Sequence, residues 1–198
     1  MKRFSSVLAI IMLFSACSLS AQKATISGTI SDLPQGAKVV MLHRDGEKVN
    51  TDTVVVDAKG GFKMTVAPTE ATLYEMSVPS ESATICHLMV FPKDKISLDM
   101  VYLPEMRACK ITSCKGSENV DVYRQFNDIL LGAVNPTMQA LIPSQLENLL
   151  EQNKHVLISA FLVTIFEQDF ENHAHVYKEI RDALEPKYAK NIFVQHLS

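Results

Sequence analysis

Residues 57–66, with the sequence DAKGGFKMTV, combine a tight turn with a strand and indicate the class of fold. Aspartate and paired glycines favour a turn because glycine adopts backbone conformations that other residues avoid. In the run that follows, Phe62, Met64 and Val66 alternate with polar residues and so share one face of an extended chain. This is the pattern of a strand with one buried face.

The same alternation recurs through the first half of the chain. The Asp45-Gly46 pair predicts a type I′ hairpin, since both residue types tolerate the positive φ angles of that turn. Gly28, inside an alternating run, predicts a bulge or a close approach of another backbone. Turn signals every ~8–12 residues separate the runs, which is typical of an antiparallel β-sandwich or small barrel. The predicted strands cover residues 26–30, 38–42, 49–56, 62–66, 73–78, 85–91, 96–100 and 107–112.

The second half of the chain has apolar residues at helical intervals. Ser117 is predicted to cap the first helix, and Pro143 to open the second. Asn153 is predicted to cap a third, apolar nearly all round, at about residues 155–166. Pro186 is expected in the first turn of a short last helix, where proline is well tolerated. A helix between these two is indicated by the stripe Val176, Ile180 and Leu184.

These patterns predict an α+β fold in two parts. An antiparallel β-sandwich or small barrel occupies residues 22–115, and a helical bundle occupies residues 116–198. The helical region must cover the sheets or pack on itself to bury its apolar stripes.

The first 21 residues have the layout of a secretory signal peptide. Lys2 and Arg3 precede an apolar run at residues 7–14, and a stretch of mostly small residues follows at positions 15–21. The run is much shorter than the ~20 residues that span a bilayer, so we interpret it as a cleaved leader and not as an anchor. The protein is therefore expected in the periplasm or cell envelope.

Two processing routes compete for this leader. Residues 14–17 resemble a bacterial lipobox, after which a lipidated Cys17 would tether the protein to a membrane, although Phe14 is unusual at the first position. Cleavage after Ala21 would leave Gln22 at the N-terminus, although Leu19 is bulky for signal peptidase. Simple secretion is slightly favoured, and a membrane contact is expected only with lipidation.

The charge of the chain argues against nucleic acid as a partner. Residues 1–21 contain two of the 19 basic residues and no acidic one, which leaves 17 basic against 22 acidic residues and a net charge of −5. Binding to phosphates requires a basic face, and the sequence contains no basic cluster that would form one.

Three cysteines remain after the leader, namely Cys86, Cys109 and Cys114. An odd number is unusual for a disulfide framework in an oxidising compartment. Cys109 and Cys114 could form a disulfide only if their strand ends or bulges between them, because residues five apart on a continuous strand point to opposite faces. Buried thiols without a redox role are the favoured interpretation.

The histidines and acids near residue 170 form the one pattern that suggests a metal site. His173 and His175 are spaced like ligands on a strand, but they lie in a linker or first helical turn, where such a pair diverges. The nearby acids are explained more simply as helix-end and loop residues, so no metal and no cofactor are predicted. These acids are Glu167, Asp169 and Glu171.

The other candidate residues have simple structural explanations. His87, on an apolar strand, is predicted to be a hydrogen-bonded core or interface histidine and not a catalytic base. Ser80 and Ser82 lie in a polar turn that lacks a nucleophile elbow. Lys187 and Lys190 are expected on a solvated helix face. The sequence therefore contains no catalytic constellation.

Several segments, in this order, resemble one family. Residues 25–30, 40–42, 52–54 and 60–64 resemble the N-terminal region of envelope thiol:disulfide interchange proteins from Gram-negative anaerobes, a domain of unknown function, family 4369. Residues 111–119, with the aromatic and polar positions that follow, resemble the passage into the helical linker of these proteins, and residues 153–163 resemble its buried helix.

The resemblance implies an accessory envelope module without the redox half. Those proteins continue into a thioredoxin-like domain with a Trp-Cys-x-x-Cys motif, whereas this sequence has no tryptophan and no Cys-x-x-Cys. The expected function is a non-catalytic scaffold for protein interaction or a small ligand. Alternatives are a redox accessory protein that partners a separate thioredoxin-like oxidoreductase, and a sandwich that pairs its edge strand with a partner. A stand-alone protein and a truncated remnant both remain open.

Overall fold

Eight strands pair into two four-stranded sheets in the computed structural model, which describes residues 22–165 and 174–197. Sheet 1 has the order β4-β1-β7-β8, and sheet 2 has the order β3-β2-β5-β6. The strands are β1 Ala24–Ser31, β2 Lys38–Asp45, β3 Lys48–Val55, β4 Gly61–Val66, β5 Thr72–Val78, β6 Ala83–Val90, β7 Lys95–Leu103 and β8 Ala108–Lys115. The predicted sandwich is therefore confirmed, with each strand close to its predicted position.

One strand pair departs from the antiparallel pattern. β1 pairs antiparallel with β4 but parallel with β7, where Ile26 lies opposite Ile96 and Gly28 opposite Leu98. Parallel neighbours need a long connection, and here it contains the four strands of sheet 2 together with β4 of sheet 1. The Thr29 hydroxyl donates a 2.8 Å hydrogen bond to the Asp99 carboxylate across this pair.

Gly28 lies where the backbones of β1 and β7 leave no room for a side chain. A Cβ atom at this position would fall on the backbone carbonyl of Leu98. The predicted close backbone approach is confirmed, and only glycine fits here.

The hairpin between β2 and β3 forms where the sequence predicts it, but with a different turn. Asp45 is paired with Lys48, so the loop residues are Gly46 and Glu47. Of these two, only Gly46 has a positive φ, at 59°. A positive φ at the first loop residue alone is typical of a type II′ turn. The predicted type I′ turn at Asp45-Gly46 was therefore wrong, because Asp45 is still paired in β2 and only Gly46 has a positive φ.

The alternating residues of both sheets form one apolar cluster. Phe62, Met64 and Val66 are at most 6% exposed, as the alternation predicts. Tyr74, Met76 and Leu88 of sheet 2 are also buried. This cluster extends without a break into the helices, because β6 has buried residues on both of its faces.

Six helices follow the sheets in the described part of the chain. α1 packs on β6 and β8, α3 and α4 pack on α1, and α5 packs on α3 and α4. The predicted bundle thus packs against the edge strands β6 and β8 and also on itself. The helices are α1 Glu118–Gly132, α2 Pro136–Gln139, α3 Ile142–Gln152, α4 Ile158–Ile165, α5 Ala174–Tyr188 and α6 Ile192–His196.

The short helix α2 was not predicted, and the start of α4 and the end of α5 differ from the prediction. Asn153 ends α3, because its side-chain amide donates to the carbonyl of Leu149, and α4 starts only at Ile158. Pro186 lies in the last turn of α5 and not at the start of a new helix. There it removes a single backbone hydrogen bond, and the Ala189 N–H still donates to Glu185. The short last helix starts after Asn191, which caps it.

The predicted leader, residues 1–21 with Cys17, lies outside the described residues. In the part of the chain that is described, no helix combines the length and the apolar character needed to cross a bilayer.

Candidate functional site

A groove with a volume of about 580 Å³ lies between the outer face of sheet 2 and the helices α4 and α6. We call it the sheet 2 groove. Its floor comes from β2, β5 and β6, and its wall from one residue of α4 and the start of α6. The residues that line it include Leu42, Arg44, Leu73, Glu75, His87, Phe161, Lys190, Asn191, Ile192 and Phe193.

The floor of the groove follows from strand alternation. Met41 and Met76 point into the sandwich core, so Leu42 and Glu75, their neighbours along the chain, point outward. Glu75 lies directly between Leu42 of β2 and His87 of β6 in the strand register. Three neighbouring strands therefore place an apolar side chain, a carboxylate and an imidazole in one row.

The wall of the groove is aromatic. The rings of Phe161 and Phe193 pack edge to face with centroids 5.3 Å apart, and Phe161 also lies 5.0 Å from the His87 ring. Asn191 positions this wall, because its side chain accepts a 3.1 Å hydrogen bond from the Phe193 N–H and starts α6. Ile192 extends outward at the rim and is 71% exposed.

His87 connects the groove to the helical core. Its Nδ1 lies 3.2 Å from the Tyr123 hydroxyl of α1, and the direction of this hydrogen bond depends on the imidazole tautomer. Burial lowers the pKa of His87, which Glu75 partly offsets, and burial raises the pKa of the Tyr123 hydroxyl well above its usual range. His87 is therefore a neutral, hydrogen-bonded interface histidine, as the sequence predicts.

His87 also gives a pH-dependent test of this arrangement. A histidine whose pKa is lower in the folded state binds its proton more readily when unfolded, so stability falls as the pH drops below the unfolded value of about 6.5. We expect the unfolding midpoint in urea to fall between pH 7.5 and 5.5, and to fall less in His87→Gln. A His87→Gln variant with an unchanged pH slope would contradict the assignment, and His196→Gln, an exposed histidine of α6, is the matched control.

None of the three cysteines at 86, 109 and 114 lines this groove, and all three are free thiols. Cys86 lies in the core with its sulfur 3.7 Å from the Met76 sulfur. Burial raises the pKa of Cys86 beyond the usual thiol range and that of Cys109 to about 12. The Cys114 thiol is partly exposed, and burial together with the Asp121 carboxylate raises its pKa. The raised pKa values disfavour the reactive thiolate form of all three cysteines at neutral pH.

Cys109 and Cys114 lie toward opposite ends of β8. Opposite them on β7 are Tyr102 and Leu98, with a register shift in between. At the usual strand rise of ~3.3 Å per residue, the two Cα atoms are too far apart for a bridge, whose Cα atoms lie within ~7 Å. A disulfide between them would require β8 to unpair.

Of the histidines and acids near residue 170, only His175 lies among the described residues. His173 and the acids at 167, 169 and 171 lie outside the described residues. His175 occupies the first turn of α5 and meets Glu147 and Glu151 of α3, two residues that the sequence pattern did not single out. The polar turn at 79–82 is confirmed as a single 3-10 turn, Pro79–Glu81. Lys190 is exposed at the rim of the groove.

Comparison with known proteins adds no relative. No protein-family model matches the chain, and no curated protein is significantly similar to it. The resemblance to the accessory region of envelope thiol:disulfide interchange proteins therefore stays a prediction.

Proposed function

We propose that this protein is an exported, non-catalytic binding module of the cell envelope and that the sheet 2 groove holds a small ligand with an apolar body. The proposal of export rests on the layout of residues 1–21. The single observation that supports binding is the sheet 2 groove.

The groove has the composition of a ligand site. Cavities of ~300–1,000 Å³ with mainly apolar walls and a few convergent polar groups are the usual binding sites for small molecules. Here Leu42, Leu73 and Phe193 supply apolar surface, while Glu75 and His87 supply polar atoms.

The chemistry of the described residues supports a binding role over catalysis. The Cys86 and Cys109 thiols and the Tyr123 hydroxyl are buried with raised pKa values, which disfavours the nucleophilic thiolate or phenolate form. His87 is already hydrogen bonded to Tyr123, and its other ring contacts with described residues are to the aromatic rings of Tyr123 and Phe161 and not to a serine or cysteine. The residues at the groove can therefore hold a ligand but do not form an activated nucleophile.

The fluorescent probe 1-anilinonaphthalene-8-sulfonate tests the groove directly, because it combines an aromatic body with an anionic group. We expect saturable binding of one probe, with Arg44 and Lys190 at the rim available to the sulfonate. Ile192→Asp should weaken binding about tenfold, which corresponds to ~1.4 kcal/mol, because it adds a negative charge and removes apolar surface at the rim.

Val134→Asp is the matched control for this experiment. Val134 is 67% exposed, much like Ile192, but it does not line the groove. It should leave the affinity for the probe unchanged. Equal losses in the two variants, or binding that does not saturate, would count against the groove as a specific site.

A further inference from the structure

We infer that α3 and α5 form a binding site for a divalent transition metal, best suited to Zn²⁺, with Glu147, Glu151 and His175 as its ligands. This inference does not depend on the sheet 2 groove. It rests on the identity of the three side chains and on the distances between them.

The two glutamates are on one face of α3. Glu147 and Glu151 are four residues apart, which places their carboxylates one above the other on a helix. His175 comes from the first turn of α5, which packs against this face. One ligand atom from each of the three residues lies within 4.8 Å of the other two.

The distances match a shared metal better than direct hydrogen bonds. The His175 Nε2 is 3.4 Å from Glu147 Oε1 and also 3.4 Å from Glu151 Oε1. A hydrogen bond between a charged nitrogen and a carboxylate is normally shorter, at ~2.7–2.9 Å. Two ligands that each bind Zn²⁺ at ~2.0–2.1 Å with tetrahedral angles are separated by ~3.3–3.4 Å.

The charges also balance. Two carboxylates neutralise a divalent cation, and the neutral imidazole adds no charge. The adjacent Lys154 is held by Glu179 of α5 through a 2.7 Å ion pair, so this pair contributes no net charge beside the site. The mutual ion pair raises the pKa of Lys154 and lowers that of Glu179, so both groups stay ionised.

The ligand set determines the class of metal. An imidazole with two carboxylates suits Zn²⁺ and its neighbours in the first transition row, whereas Mg²⁺ and Ca²⁺ prefer oxygen ligands alone. Three protein ligands leave the fourth position of a tetrahedral ion to water. Glu147 is partly buried, while His175 and Glu151 are about half exposed, so an ion can reach the site from solvent.

Isothermal titration calorimetry of the protein stripped with EDTA tests this site, with ZnCl₂ as the titrant. We expect saturable binding of one Zn²⁺ and a higher unfolding temperature with Zn²⁺, because binding to the folded state stabilises it. His175→Ala and Glu151→Gln should each weaken the binding by at least ~10–100-fold. Loss of a residue that only supports a metal ligand already weakens binding by that factor, and loss of a ligand itself should weaken it at least as much. MgCl₂ at the same concentration should give no saturable heat.

His155→Ala is the matched control, since His155 is also exposed and lies 3.4 Å from one carboxylate, that of Glu118. It should bind Zn²⁺ like the unmodified protein. Far-ultraviolet circular dichroism without metal confirms that each variant is folded, and Co²⁺ absorption in the visible gives a second readout of ligand geometry. Binding that survives His175→Ala, that is lost in His155→Ala, or that Mg²⁺ reproduces would overturn the inference.

Discussion

Gly28→Ala is expected to destabilise the protein by more than about 3 kcal/mol, at the upper end of what overpacking costs. The new methyl group would fall on the Leu98 carbonyl of β7, and the obstacle is backbone, which cannot rotate away as a side chain could. Either β1 and β7 must separate or their hydrogen bonds must break. Urea denaturation followed by circular dichroism measures the loss.

Gly132→Ala is the control for this substitution. Gly132 is the last residue of α1, and a Cβ atom there would meet nothing within 4 Å. Alanine should be neutral or stabilising by up to ~1 kcal/mol, because it restricts the unfolded chain and favours a helix. A Gly28→Ala protein as stable as the Gly132→Ala protein would show that the parallel pair is not as close as described.

Phe62→Ala is expected to cost about 3–5 kcal/mol, the usual loss for removing a buried aromatic ring from a core. Phe62 is 6% exposed and belongs to the cluster between the sheets. Lys63, the next residue, faces solvent on the opposite side of β4, and Lys63→Ala should change the free energy of unfolding by less than ~0.5 kcal/mol. Equal losses in the two variants would mean that the register of β4 is different.

Much of this fold could be predicted because its strands carry local signals. Alternation such as that of Phe62, Met64 and Val66 reports which face is buried, and glycine and aspartate report the turns. The parallel pairing of β1 with β7 has no such signal, because the partner of a strand is set by packing over a long separation. Asn153 shows a related limit, since its side chain can cap the start of one helix or the end of another.

The candidate sites were harder to predict than the fold for the same reason. The groove combines residues of β2, β5 and β6 with residues of α4 and α6, and only tertiary structure brings them together. His175 attracted attention because of His173, yet its described partners are Glu147 and Glu151, more than twenty residues earlier in the chain. Carboxylates four apart on a helix are common on solvated faces, so their spacing alone is not informative.

The pairing of β1 with β7 also has a consequence for the order in which the protein folds. Thr29 and Asp99 are 70 residues apart, so sheet 1 is complete only after a long loop has closed, although its β7–β8 pair is a local hairpin like β2–β3 and β5–β6 of sheet 2. Closing such a loop costs entropy before any contact compensates for it, and contacts between distant residues slow folding. Sheet 2 can thus form early and serve as a template. Until β7 is in place, β1 lacks one of its two neighbours, and the partly folded chain is then most prone to pair with another molecule.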